Sequence, residues 1–192
     1  MRKKLLSRQA ITVEAIEDNR LIVWSPKQGS ELYSEGFYGK PLGIPKPKET
    51  VFEVPLMIDL IEGVYLLEKH RIRVVSGPKK DTISLRRLKQ IARQVHEGFL
   101  LKYHVYRQLR EQGYIVTPGI KYGCDFAVYE HGPGIDHAPY IVQVRSRSDE
   151  MSSSEIVKAG RLAATVKKTF IMAIPRVGER GITYLGFKWW RP

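Results

Sequence analysis

"VYEHGPGIDHAPYIVQV", residues 128–144, places a polar loop between two apolar runs. Ala127-Val128 and Tyr140-Ile141-Val142 have the composition of strands, and Gly132-Pro133-Gly134 interrupts them with turn chemistry. Tyr129 and His137 stand at the two edges of that loop, with His131 and Asp136 inside it. A strand–loop–strand unit of this kind offers reactive side chains on a short, well-anchored connection.

The flanks decide the fold class. Upstream, "SLRRLKQIARQVHEGFLLKYHVYRQLREQG" puts Leu85, Leu88, Ile91, Val95 and Phe99 on one helical stripe, and Tyr103, Tyr106 and Leu109 continue it, with room for a second helix after Gly98. "YIVT" and "DFAVY" read as strands. Downstream, Ser152 and Glu155 form a capping-box pattern that opens a helix through "EIVKAGRLAATV", and "TFIMAI" and "ITYLGF" follow as strands around "PRVGERG". Helices followed by strands, a helix and more strands predict an α/β domain over residues 85–192.

Residues 1–84 predict a smaller mixed α/β domain. "AITVEAIEDNRLIVW" has two β-branched runs with a hairpin-like break at 17–19. "GFYGKPLGIPKPKE" is expected to be a loop, near residues 39–49, because proline fixes φ and removes a donor. "PLMIDLIEGVYLLEKH" repeats apolar residues at helical spacing, and "RIRVV" follows as a strand. Turn residues and charge cluster at 76–84, where the boundary is expected.

The chain's 192 residues carry a formal net charge of +12, with 43% hydrophobic and 27% charged residues, and the sequence pI is about 9.8. No lysine-rich tail accounts for the charge, so it belongs to the folded body and favours a polyanionic partner. No apolar run approaches the roughly 20 residues that span a bilayer. "MRKKLLSRQA" is basic but lacks an apolar core, so a cytoplasmic protein is expected. Cys124 is the sole cysteine, which excludes an internal disulfide and any zinc site built on cysteines. Asn19 is the sole asparagine, a composition seen in heat-adapted chains.

Individually, the polar residues have plain readings: Tyr129 as a strand cap, His137 as a loop hydrogen-bonder, Lys168 as a solvated charge. Together they match one chemistry. Cleaving RNA by internal transfer requires that the 2′-OH lose a proton, that the 5′-oxygen gain one, and that the phosphorane's charge be neutralised. A tyrosine, a histidine and a lysine can divide that work with no metal or other cofactor.

The spacing carries a resemblance. Lys102-Tyr103, Val105-Tyr106, Leu109-Arg110, Gly113-Tyr114, Gly119, Lys121, Gly123, Asp125-Phe126, Val128-Tyr129 and His137-Ala138 follow, in order, the pattern of the catalytic domain of tRNA-splicing endonucleases. "AGRLAATVKKTF" resembles that family's later block, and "LYSEGFYG" and "LIEGVYLL" resemble its first part more loosely. The resemblance implies a restriction-endonuclease-like α/β fold for residues 85–192. It implies Tyr129 as general base, His137 as general acid and Lys168 as electrostatic stabiliser, in excision of introns from precursor tRNA at a bulge-helix-bulge. The products would carry 2′,3′-cyclic phosphate and 5′-hydroxyl ends. Lys168, directly before Thr169, fits the motif frame, and its neighbour Lys167 does not. His131 matches no family position, and Asp125 fits a strand-end role. Arg161 resembles the family arginine that stacks on an unpaired intron base. It lies on the same face as Lys168 if the helix extends that far.

Two other readings stay open. A metal-dependent restriction-type DNA nuclease needs an acidic-x-lysine triplet, but the corresponding residues are Gln143-Val144-Arg145. A non-catalytic RNA-binding subunit would not need all three of Tyr129, His137 and Lys168. Further expectations come from departures. The Pro/Lys alternation is outside the family pattern, and at least one of Lys40, Lys46 and Lys48 is expected on tRNA phosphates, the alternative being a solvated surface loop. Family members resembling this chain pair through C-terminal strands and join pairs by an acidic loop. Here "PRVGERG" is basic, so a separate structural subunit is expected to pair with Trp189 and Trp190 in a two-plus-two heterotetramer, the alternative being a homotetramer held by other loops.

Overall fold

The computed structural model describes residues 9–16, 20–45, 47–176 and 181–187, and their contacts divide the chain into two units, Met1–Glu97 and Gly98–Pro192. The boundary expected after residue 84 lies one helix upstream of this division. In the first unit, β1 (Ile11–Ile16) and β2 (Arg20–Val23) pair antiparallel as the two β-branched runs predict. α1 (Pro26–Gly36) starts where Ser25 accepts the Gln28 N–H and proline occupies the first turn. β3 (Lys40–Pro41), β4 (Leu56–Ile58), α2 (Leu60–Glu68), β5 (Ile72–Ser76), β6 (Asp81–Thr82) and α3 (Leu85–Val95) follow. The sheet order is β3-β4-β2-β1-β5-β6, with β1 and β5 parallel. Val13, Leu21, Val23, Leu56, Val64, Leu66 and Val74 form its fully buried core.

Three local expectations change. Leu56–Ile58, assigned to the helical stretch, is a strand. Asp59 accepts the Ile61 N–H at 2.8 Å and Glu62 accepts the Asp59 N–H at 3.3 Å, and this reciprocal cap delays the helix to Leu60. Lys40–Pro41, assigned to the loop, forms the edge strand β3, where a proline lacks no needed donor. Val95 is 44% exposed, so the apolar stripe of the first of these helices ends with Leu88 and Ala92 buried, while the second helix allowed for after Gly98 does begin there, at Phe99.

The second unit comprises α4 (Phe99–Glu111), β7 (Ile115–Pro118), a 3-10 turn (Ile120–Tyr122), β8 (Phe126–Tyr129), β9 (Tyr140–Val144), α5 (Ser153–Thr165), β10 (Thr169–Pro175) and β11 (Ile182–Phe187). Its sheet order is β11-β10-β9-β8-β7. β9 and β10 are parallel and joined through α5; the other neighbours are antiparallel. Ser152 and Glu155 form the capping box that starts α5. The chain is thus mixed α/β in its N-terminal unit, followed by an α/β unit carrying the loop of interest. Trp189, Trp190, Lys46 and residues 177–180 lie outside the described residues. No described helix is long and apolar enough to cross a membrane.

Candidate active site

Strand register brings the loop together with the distant lysine. Tyr140, at the start of β9, pairs with Val128 near the end of antiparallel β8 and with Thr169 at the start of parallel β10. Tyr129, the His137 loop and Lys168 therefore leave the sheet at one end, although Tyr129 and Lys168 are far apart in sequence.

The turn after α5 delivers Lys168 there. Lys167 adopts φ 53°, its N–H bonds to the Ala164 carbonyl at 3.2 Å, and the Lys168 N–H bonds to the Ala163 carbonyl at 2.9 Å. This pair of reversed bonds is a Schellman motif, with lysine at the position glycine usually takes. The helix ends at Thr165, so Lys168 and Arg161 do not share a helical face; Arg161 is exposed on α5. Lys168 Nζ donates to the Ala138 carbonyl at 2.5 Å, beside His137, and the Thr169 N–H donates to the Pro139 carbonyl at 2.8 Å. Side chain and backbone together tie this turn to the loop.

Asp136 shapes the loop itself. Its carboxylate accepts the N–H groups of Gly132 at 2.8 Å, Glu130 at 3.1 Å and His131 at 3.2 Å. Burial pushes its pKa up, but these three donors outweigh that and hold it below the ordinary carboxylate value. His137 follows directly, is exposed, and makes no hydrogen bond among the described residues. Its ring is free to meet a ligand.

Tyr122 is the residue that sequence reasoning missed. Its ring lies under Lys168 Nζ, 5.2 Å from the centroid, and under the Lys121 ammonium at 5.6 Å. Burial first, then Tyr122 and Asp136, raise the Tyr129 pKa above that of an ordinary phenol, against a lowering hydrogen bond to Thr117. The usable signal was its place between Gly119 and Gly123. A Cβ on Gly119 would come within 2.8 Å of the Cys124 carbonyl oxygen and the Phe126 backbone, and Gly123 has φ 65°. The two glycines allow the tight 3-10 turn that aims Tyr122 at the site.

Asp125 has a structural occupation. Its Oδ2 accepts the Val144 N–H at 2.7 Å and Gln143 Nε2 at 3.0 Å, and Lys102 Nζ lies 2.8 Å from its Oδ1. The carboxylate that a restriction-type nuclease would give to a cation is here spent on a lysine and two amides. Lys40 and Lys48 are exposed on the first unit.

Residues 99–184 match the tRNA intron endonuclease catalytic C-terminal domain, and residues 13–89 match the tRNA intron endonuclease N-terminal domain. The chain is 43% identical to the tRNA-splicing endonuclease of Hyperthermus butylicus over 90% of its own length and 95% of that protein's. It is 42% identical to that of Sulfurisphaera tokodaii over 96% of each chain. It is 40% identical to that of Saccharolobus solfataricus over 98% of each. A sheet end that presents a tyrosine, a histidine loop and a lysine, inside two domain matches that together cover most of the sequence, leads to one assignment: the chain belongs to the tRNA intron endonuclease family.

Proposed function

We propose that this chain is the catalytic subunit of a cytoplasmic tRNA-splicing endonuclease, which excises introns from precursor tRNA at bulge-helix-bulge sites without a metal. The observation that carries this is the Lys168–Ala138 hydrogen bond, which ties the lysine to the His137 loop at the end of the sheet where Tyr129 emerges. Tyr129 accepts the proton of the 2′-OH as the 2′-oxygen bonds to phosphorus. The bond from phosphorus to the 5′-oxygen breaks, and His137 gives that oxygen its proton. Lys168, steadied on the Tyr122 ring, faces the charge that builds on the phosphorane. The products are a 2′,3′-cyclic phosphate and a 5′-hydroxyl. Burial disfavours the phenolate of Tyr129, so the competent protonation state is a minority one in the RNA-free chain.

Arg161, exposed on α5, is suited to stack on an intron base, and Lys40, Lys46 and Lys48 to meet tRNA phosphates. β11 ends the sheet with Leu185 45% exposed, which supports a pairing edge, and the basic "PRVGERG" segment favours a structural subunit that supplies the acidic loop. One assay tests the whole reading: labelled intron-containing tRNA in EDTA, with the chain alone, with a structural subunit, and with the three lysines replaced by alanine. Cleavage in EDTA that needs the subunit and weakens in the lysine variant is expected. Strict Mg²⁺ dependence would overturn the mechanism, full activity of the chain alone the two-plus-two assembly, and an unaffected variant the lysine contacts.

A further inference from the structure

α3 is basic along its whole outer surface. Leu88 and Ala92 are buried against the first unit, whereas Arg86, Arg87, Gln90, Arg93 and Gln94 are exposed. No carboxylate lies between Leu85 and Val95; Asp81 and Glu97 flank the helix at a distance. A merely solvated helical face usually interleaves both signs so that side chains pair at i,i+4. Here Lys89 reaches off the helix to Glu68, at 3.3 Å, and Arg87 bonds to the Gln90 amide at 3.1 Å. Arg86 and Arg93 make no ion pair or hydrogen bond among the described residues. Arg86 also sits in the first helical turn, which holds no acidic residue and where the helix dipole disfavours a cation. The fold gains nothing evident from these two guanidinium groups.

Arg86, Lys89, Gln90 and Arg93 recur at intervals of three and four residues and line one surface depression. Apart from the Gln90 amide oxygen, which already accepts from Arg87, the stripe presents donors, over roughly 10 Å of helix rise. Guanidinium and amide groups in that arrangement complement phosphate oxygens, and a strand of RNA offers them repeatedly.

We propose that the outer face of α3 is a docking surface for the phosphate backbone of a helical stem in the precursor RNA, carried by the N-terminal unit and distinct from the catalytic loop. The proposal rests on the reading of this chain as a precursor-tRNA endonuclease. It adds a sequence-independent grip that the first unit supplies, so that the substrate is held by its helical body as well as by its bulges. The grip contributes to affinity and leaves the chemical step alone.

The test uses the full chain, assembled with a structural subunit if cleavage requires one, carrying Arg86→Ala and Arg93→Ala together. Binding of an intron-containing tRNA transcript is measured across a salt series, alongside the single-turnover cleavage rate at saturating RNA. The variant should bind roughly 10-fold more weakly near physiological salt, and the slope of log affinity against log salt should fall by roughly 1.5, as for two lost phosphate contacts. The saturated cleavage rate and the thermal midpoint should match the parent's. Unchanged affinity and salt slope would overturn the proposal while leaving the endonuclease reading intact. So would a variant that binds RNA normally but no longer assembles with the structural subunit, which would give this face to a protein. A parent chain that neither binds nor cuts the transcript would remove both readings together.

Discussion

Asp136 holds the loop between β8 and β9 through three backbone N–H groups, and His137 is the next residue in the chain. The histidine's place therefore depends on a carboxylate that need not touch RNA. An amide at this position keeps one acceptor oxygen but turns an N–H toward donors, so Asp136→Asn should loosen the loop. We expect a loss of about 100-fold in the single-turnover rate, the scale of a small misplacement at a reacting centre, with much less change in RNA affinity. The double variant with His137→Ala should be little slower than His137→Ala alone, because the two residues act as one unit. Additive losses, or a loss confined to affinity, would contradict this positioning role. Tyr129, His137 and Lys168 could be singled out in the sequence because a long ordered motif surrounds them, and the strand register gathers them at one end of the sheet. Asp136 was visible in the loop but had no assigned role, since its partners are backbone groups that no residue pattern advertises. Tyr122 looked like any aromatic near a core, and it does pack there, beside Cys124 and Ile141.

The turn between α5 and β10 sets the lysine by backbone geometry. Lys167 occupies the left-handed region at φ 53°, where a Cβ costs roughly 1 kcal/mol. Lys167→Gly should leave stability unchanged or raise it by up to about 1 kcal/mol, and cleavage should persist. Lys167→Val, β-branched and poorly tolerated at positive φ, should lower the thermal midpoint and slow cleavage by shifting Lys168. A valine variant as stable and as active as the parent would show that the turn does not position the lysine. This turn was hard to read from the sequence, because without a glycine nothing marks the helix end, and the helical spacing of Arg161 and Lys168 suggested a shared face. The strand at Leu56–Ile58 was hidden for a related reason: its apolar residues continue the period of the helix behind it. The caps at Asp59, Ser84 and Ser152 show where such ambiguities are resolved, by side chains that satisfy the first free N–H groups.

Both units were expected as α/β from alternating helical and strand periods; all five strands of the second sheet were foreseen, but in the first sheet only β1, β2 and β5 were, and β3, β4 and β6 were not. The neighbour order within each sheet was not foreseen, because register depends on pairings between distant segments. The second unit also holds protons that the unfolded chain would release. Burial, aided by Asp125, pushes the Cys124 thiol from 9.0 to about 11, burial pushes Tyr184 from 10.0 to about 12, and Tyr129 is raised as well. A raised folded pKa gives stability that is whole below the unfolded value and lost as pH rises through the folded one. The thermal midpoint should therefore fall as pH climbs from about 9 toward 12, even though titrating lysines relieve the repulsion of a +12 chain. A midpoint that holds or rises over that range would contradict these shifts. The proposed mechanism turns on an RNA hydroxyl acting as the nucleophile. It is tested most directly by incubating precursor tRNA with the assembled enzyme in EDTA, with a single 2′-deoxy nucleotide placed 5′ of one cut. Cleavage at the untouched site and none at the deoxy site is the predicted result; efficient cutting at the deoxy site, or no cutting anywhere until Mg²⁺ is restored, would contradict it.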